Sequence, residues 1–93
     1  MISILFRHKV LDKLVAFNSI EQLSKKIHIL MELYKLFLTN EGKIFLQYHV
    51  QFRNNIEGKI KKFIKDPQVM YDKQFIDESS NMLNYIQTIT LNF

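Results

Sequence analysis

Three histidines and the carboxylates near them are the side chains whose types and spacing suit metal or acid–base chemistry. His8 and Asp12 stand four residues apart, as do His28 and Glu32, and on a helix that spacing puts imidazole and carboxylate on one face. Two such pairs on facing helices would form a four-ligand site of the kind built inside helical bundles. The surrounding pattern argues against it. His28 and Glu32 fall beside the apolar stripe that passes them and are expected to face water, Asp12 need not follow His8 toward a core, and His49 borders a stripe as a boundary residue. No metal and no other cofactor are expected. The chain has no cysteine nucleophile, no glycine-rich phosphate loop and no Ser-His-Asp set that helical spacing would assemble. It is expected not to be an enzyme and to have no small-molecule substrate.

The other chemical feature is a basic cluster. Lys59, Lys61, Lys62 and Lys65 fall within seven residues with no acid among them. Their charge equals the formal net charge of +4, because the other nine basic and nine acidic residues cancel. Such a cluster reads first as a solvated helix face whose cations sit favourably near a helix C-terminus. It also suits phosphate, so a nucleic-acid-associated regulatory protein using residues 59–65 is the alternative reading. Two arginines in the whole chain leave little for bidentate readout of guanine, and no helix-turn-helix or RNA-stacking motif is present. Arg53-Asn54, on an expected helix, resembles part of the Arg-containing motif of HEPN-type helical ribonucleases. That motif closes on a histidine, whereas the corresponding window here contains Lys59 and no histidine, so the resemblance implies no nuclease chemistry for this chain.

Helices must carry these groups. Ile20, Leu23, Ile27, Leu30, Tyr34 and Phe37 recur at alternating spacings of three and four, the period of one helix face. Asn18 or Ser19, with Glu21 or Gln22 three residues later, is expected to cap the start of that helix. Thr39-Asn40-Glu41-Gly42 is expected to end it, with Gly42 in the left-handed conformation; a helix running unbroken through Gly42 is the main competitor. A second stripe joins Phe45, Tyr48, Phe52, Ile56, Ile60 and Phe63. Gly58 weakens that helix by about 1 kcal/mol relative to alanine. Asp66-Pro67 is expected to end it and to open the next helix, as N-cap and first helical residue.

The last segment carries Val69, Met70, Phe75, Ile76, Met82, Leu83, Ile86 and Ile89, interrupted by Asp77-Glu78-Ser79-Ser80, so one kinked helix or two short ones would fit, and Thr88 to Phe93 is expected to be extended. In the first segment Ile4, Leu11, Leu14 and Val15 line one face with His8 between them, and that face is expected to meet the core. The fold class is therefore all-α, a small four-helix antiparallel bundle with helices at roughly 2–17, 19–40, 43–65 and 67–89, and with self-association as a means of completing it.

Ninety-three residues suffice for a single helical domain, 1–93, and its 47% hydrophobic content with eight Phe and four Tyr is too apolar for a disordered chain. Large side chains exceed what the stripes need. The expected function is thus a non-enzymatic protein–protein interaction module, a small helical subunit, adaptor or inhibitor of a larger assembly, with Leu33, Leu36 and Leu46 as partner-binding residues. The expected partner is another protein, a further copy of the chain, or both. Residues 1–31 are basic and residues 66–93 acidic, which favours packing the last helix beside the first. The absence of cysteine, an apolar opening run too short for a signal peptide and the lack of a membrane-spanning stretch lead to a cytoplasmic expectation.

Overall fold

Apolar side chains at three- and four-residue intervals fold this sequence into helices, and no strand occurs among the described residues. The computed structural model describes residues 3–69 and 72–91. Met70, assigned above to the last stripe, lies outside them, as do Ile2, Asn92 and Phe93. Five helices are present in this range: α1 (Ile4–Ser19), α2 (Leu23–Leu38), α3 (Asn40–Tyr48), α4 (Val50–Ile64) and α5 (Lys73–Leu91). They divide into two units, Met1–Phe45 and Leu46–Phe93, with the boundary inside α3. In the first unit α1 packs on α2, and in the second α4 packs on α5. The expected all-α class is borne out. The expected count of four is not, because the helix placed at 43–65 is two helices separated at His49.

In the first unit, α1 begins at Ser3, whose hydroxyl accepts from the Phe6 N–H at 3.1 Å and so satisfies one of the free N–H groups of the first turn. Phe6, Val10 and Phe17 are the buried residues of α1; of the Ile4, Leu11, Leu14 and Val15 stripe expected to meet the core, Leu14 is half-buried and the other three are exposed. Both sets have helical spacing, and the aromatic set removes more area from water. The chain leaves α1 through Ile20, with backbone angles of −86° and 133°. Ser19 caps nothing. It is the last residue of α1, and its hydroxyl donates back to the Val15 carbonyl at 2.7 Å. On α2, Ile29, Leu30, Leu33 and Phe37 are buried, so the buried face is turned by less than a quarter of a revolution from the expected stripe, and Ile27 and Tyr34 lie half-buried at its edge.

The junction between α2 and α3 turns at Thr39, with backbone angles of −71° and 160°. Thr39 caps both helices. Its hydroxyl donates to the Leu36 carbonyl at 2.6 Å and accepts from the Gly42 N–H at 3.0 Å. Gly42 is not left-handed; no glycine has positive φ, and Gly42 lies in the first turn of α3. It is needed for close approach, since a Cβ there would stand 2.6 Å from the Phe37 Cα and closer still to the Leu36 carbonyl oxygen.

In the second unit, His49 has backbone angles of −102° and 73° and interrupts the helix without a glycine or proline. Tyr48, expected on the core stripe, is 70% exposed, while α4 buries Arg53, Ile56 and Ile60. The Arg53 guanidinium donates to the Leu46 carbonyl at 3.2 Å, serving an acceptor near the end of α3. After α4, Asp66-Pro67 does stop the helix but opens a turn: the Asp66 carbonyl accepts from Val69 N–H and its carboxylate from Gln68 N–H, both at 2.9 Å. The cap of α5 is instead Asp72, whose carboxylate accepts from the Phe75 N–H at 3.0 Å.

α5 then runs through Asp77-Glu78-Ser79-Ser80 without interruption and buries Phe75, Ser79, Met82, Ile86 and Ile89. Thr88 and Thr90 are helical, not extended. Their hydroxyls donate to the carbonyls of Asn84 at 2.8 Å and Ile86 at 3.0 Å, which accommodates both threonines in the last turns. Phe63 and Phe75 meet edge to face at 4.4 Å, linking α4 to α5.

Alanine substitutions at the two glycines should have opposite signs in chemical denaturation. Gly42→Ala is expected to cost about 1–3 kcal/mol, because the methyl group meets backbone that cannot rotate away. Gly58→Ala, with nothing near its missing Cβ, is expected to stabilise by about 0.5–1 kcal/mol. Two buried polar groups differ similarly. Arg53→Met leaves the Leu46 carbonyl without that donor and should cost about 1–3 kcal/mol. Ser79→Ala removes a buried hydroxyl that has no hydrogen-bond partner among the described residues, and should raise stability by up to about 1 kcal/mol.

Candidate functional site

The histidine–carboxylate pairs do not converge. His28 Nε2 lies 3.4 Å from Glu32 Oε1, but the other oxygen of Glu32 is held by the Lys13 ammonium from α1. A carboxylate so engaged is a poor cation ligand. His8 and Asp12 are exposed on α1, and no cluster of three or more metal-capable side chains occurs among the described residues. Lys13 also governs the electrostatics of Glu32: its hydrogen bond, opposed by some desolvation and helped by its charge and those of His28 and Lys35, holds the Glu32 carboxyl below the ordinary glutamate range. Glu41 is lowered too, first by the hydrogen bond from the Ser3 hydroxyl at 2.6 Å and then by the Ser3 N–H at 2.9 Å.

Of the leucines expected to bind a partner, two lie in the core. Leu33 is 2% exposed and Leu46 is fully buried, so neither presents a surface. Leu33 sits at the centre of the buried face of α2, between Leu30 and Phe37, because that face is turned from the stripe expected above. Leu36 is half-buried on the side of the α1–α2 hairpin. There it lines an open cleft of about 600 Å³ with Lys9, Asp12, Lys13, Glu32, Lys35 and Thr39. Lysine stems and Leu36 supply apolar walls, and charges of both signs crowd the rim, so the cleft has no single preferred ligand charge.

The surface that sequence reasoning missed is the outer side of α1. Ile4, Leu11 and Val15 are 73%, 49% and 64% exposed, and exposed His8 lies among them. At 100° per residue this stripe is centred about 140° from the Phe6, Val10 and Phe17 stripe, so α1 is apolar on two sides. The signal was available in the sequence: two sets of apolar side chains, each at helical spacing, compete for one core, and the set with two phenylalanines takes it.

All four lysines of the basic cluster are exposed on the last turns of α4 and just beyond it. Lys61 pairs with Glu57 at 3.1 Å, one turn earlier. At helical spacing the four spread over roughly half the circumference of the helix. Their placement near the C-terminus of α4 is favourable for its dipole. No helix among the described residues is long and apolar enough to cross a membrane.

Acid should loosen the first unit through two carboxylates. Because the folded-state pKa values of Glu32 and Glu41 are lowered, their contribution is complete above the unfolded glutamate pKa of about 4.3 and is lost as pH falls through the folded values. Thermal unfolding of Glu32→Gln and Glu41→Gln variants should differ from the parent at pH 7 and converge with it toward pH 3. Comparison with protein-family models, curated proteins and solved structures finds no match to this chain.

Proposed function

We propose that the protein is a non-enzymatic protein–protein interaction module, a small helical subunit, adaptor or inhibitor whose docking element is the outer side of α1. The observation that carries this reading is the exposed stripe Ile4, Leu11 and Val15 on a regular helix. Scattered single apolar residues on a surface are ordinary, but an aligned stripe on a helix that already has a separate buried face is the pattern of a surface used in association. Leu36 remains a candidate contact at the edge of the α1–α2 hairpin. Completion of a helical bundle by docking suits such a stripe, in the manner of an amphipathic helix presenting anchors at three- and four-residue intervals.

The alternative, a nucleic-acid-associated regulatory protein, is favoured by the shared exposure of Lys59, Lys61, Lys62 and Lys65. Their spread around α4, and the pairing of Lys61 with Glu57, suit this reading less than a single basic edge would. A photo-reactive amino acid placed at position 11, and separately at position 62, separates the two readings in cells expressing the chain. A discrete protein adduct at position 11, sequenced by mass spectrometry and absent at position 62, is the expected result. Absence of any protein adduct at position 11, with nucleic acid attached at position 62, would replace the leading reading with the alternative.

A further inference from the structure

The start of α4 gathers positive charge that no described residue balances. Its N-cap, His49, makes no side-chain capping hydrogen bond, and its first turn holds no acid. The backbone N–H groups of Val50 and Gln51 have no acceptor among the described residues. An uncapped start is not in itself a site, and α2, which opens after Gln22, has no side-chain cap either. What sets α4 apart is Arg53.

Arg53 is 7% exposed, and its buried Nε has no hydrogen-bond partner among the described residues. It forms no ion pair among them. No Asp or Glu stands between Glu41 and Glu57 in sequence, and Glu57 is held by Lys61 at 3.1 Å. A buried cation without a counter-charge is costly, and the α4 macrodipole adds about half an elementary charge of the same sign at this end. Helical side chains slant toward the N-terminus of their helix, and the Arg53 guanidinium does so: it donates at 3.2 Å to the carbonyl of Leu46, which precedes α4. The guanidinium therefore runs back beside the first turn, toward the end at which the Val50 and Gln51 N–H groups are free. At that same turn lies an open cavity of about 480 Å³ lined by Tyr48, His49, Val50, Gln51 and Phe52.

We infer that this turn binds the phosphate group of a small organic phosphate. The N–H groups of Val50 and Gln51 donate to its oxygens, as the free donors of a helix start do. Arg53 supplies the balancing charge from the buried side without touching the ligand. The cavity is larger than a bare phosphate needs, and Tyr48, Val50 and Phe52 offer apolar surface to the carbon body that the phosphate carries. The site uses no residue of α1 and none of the exposed lysines of α4, so it stands apart from both readings of function given above.

Isotope-labelled full-length protein is titrated with inorganic phosphate and with phenyl phosphate at constant ionic strength, and the backbone amides are followed by NMR. Saturable displacements are expected to be largest at Val50 and Gln51, with phenyl phosphate binding about fivefold more tightly than inorganic phosphate because its ring adds apolar contact. Equal affinities would overturn the assignment to an organic phosphate. Gln51→Glu, at an exposed position, gives the helix start a carboxylate of its own. It is expected to weaken phosphate binding about tenfold without lowering the thermal midpoint, since an acid in the first turn favours the helix.

Arg53→Met, if circular dichroism shows it folded, should weaken binding as well; Gln51→Glu carries the test if it is not. Lys61→Gln combined with Lys62→Gln should leave the displacements at Val50 and Gln51 unchanged. Displacements confined to residues 59–65 and lost in that double variant would mean an adventitious ion only. No saturable displacement at Val50 and Gln51, or undiminished binding by Gln51→Glu, would overturn the site.

Discussion

The first unit depends on the backbone-to-backbone contact at Gly42. The first turn of α3 lies so close to the last turn of α2 that a Cβ at this position would be driven into the Phe37 Cα and the Leu36 carbonyl. That proximity lets one side chain, Thr39, serve the end of one helix and the start of the next with a single hydroxyl. It also fixes the direction of α3, and with it two contacts back to α1. Glu41 reaches the hydroxyl and N–H of Ser3, the residue that caps α1, and Phe45 meets Phe6 edge to face at 5.8 Å. A methyl group at position 42 would therefore disturb a helix start almost forty residues away in sequence.

The second unit meets a comparable constraint with a side chain. Leu46 on one side of the break at His49, and Arg53 and Ile56 on the other, are all buried. The break leaves backbone carbonyls near the end of α3 without helical donors, and Arg53, one turn into α4, is buried to serve one of them. Burying a guanidinium is costly, so the arrangement persists only while the fork has an acceptor. On α5 the same unit carries Ser79 in the middle of an otherwise apolar stripe. Its hydroxyl is fully buried there with no hydrogen-bond partner among the described residues.

Most of the helical stripes were legible because they depend only on period. Leu30, Phe37, Ile56, Ile60, Phe75, Met82, Ile86 and Ile89 stand where their spacing places them. Features set by contacts between distant residues were not legible. The break at His49 has no glycine or proline to announce it, and the role of Gly42 is a clearance, which sequence does not display. Asp66 and Asp72 are equally good caps by residue type; Pro67, the usual sign of a helix start, instead fits the second position of a turn. Among the candidate site residues, the exposure of Lys59, Lys61, Lys62 and Lys65 followed from their charge, while Leu33 and Leu46 were misplaced because their helices have a different phase from the stripe that was counted.

The same phase question gives α1 its importance. A helix with one apolar side is satisfied once that side is packed, and α1, which packs on α2 and sets Phe6 against Phe45, buries Phe6, Val10 and Phe17. Each such large side chain withdrawn from water contributes about 1.5–3 kcal/mol, enough for the hairpin to select this side without help from the other. Ile4, Leu11 and Val15 therefore contribute little to the folding of the hairpin, and their exposure is a standing cost in water. Placing polar residues at these three positions would leave the buried side intact. On the proposed reading their apolar character is maintained by association: one side of α1 closes the fold, and the other is covered only when a second chain arrives.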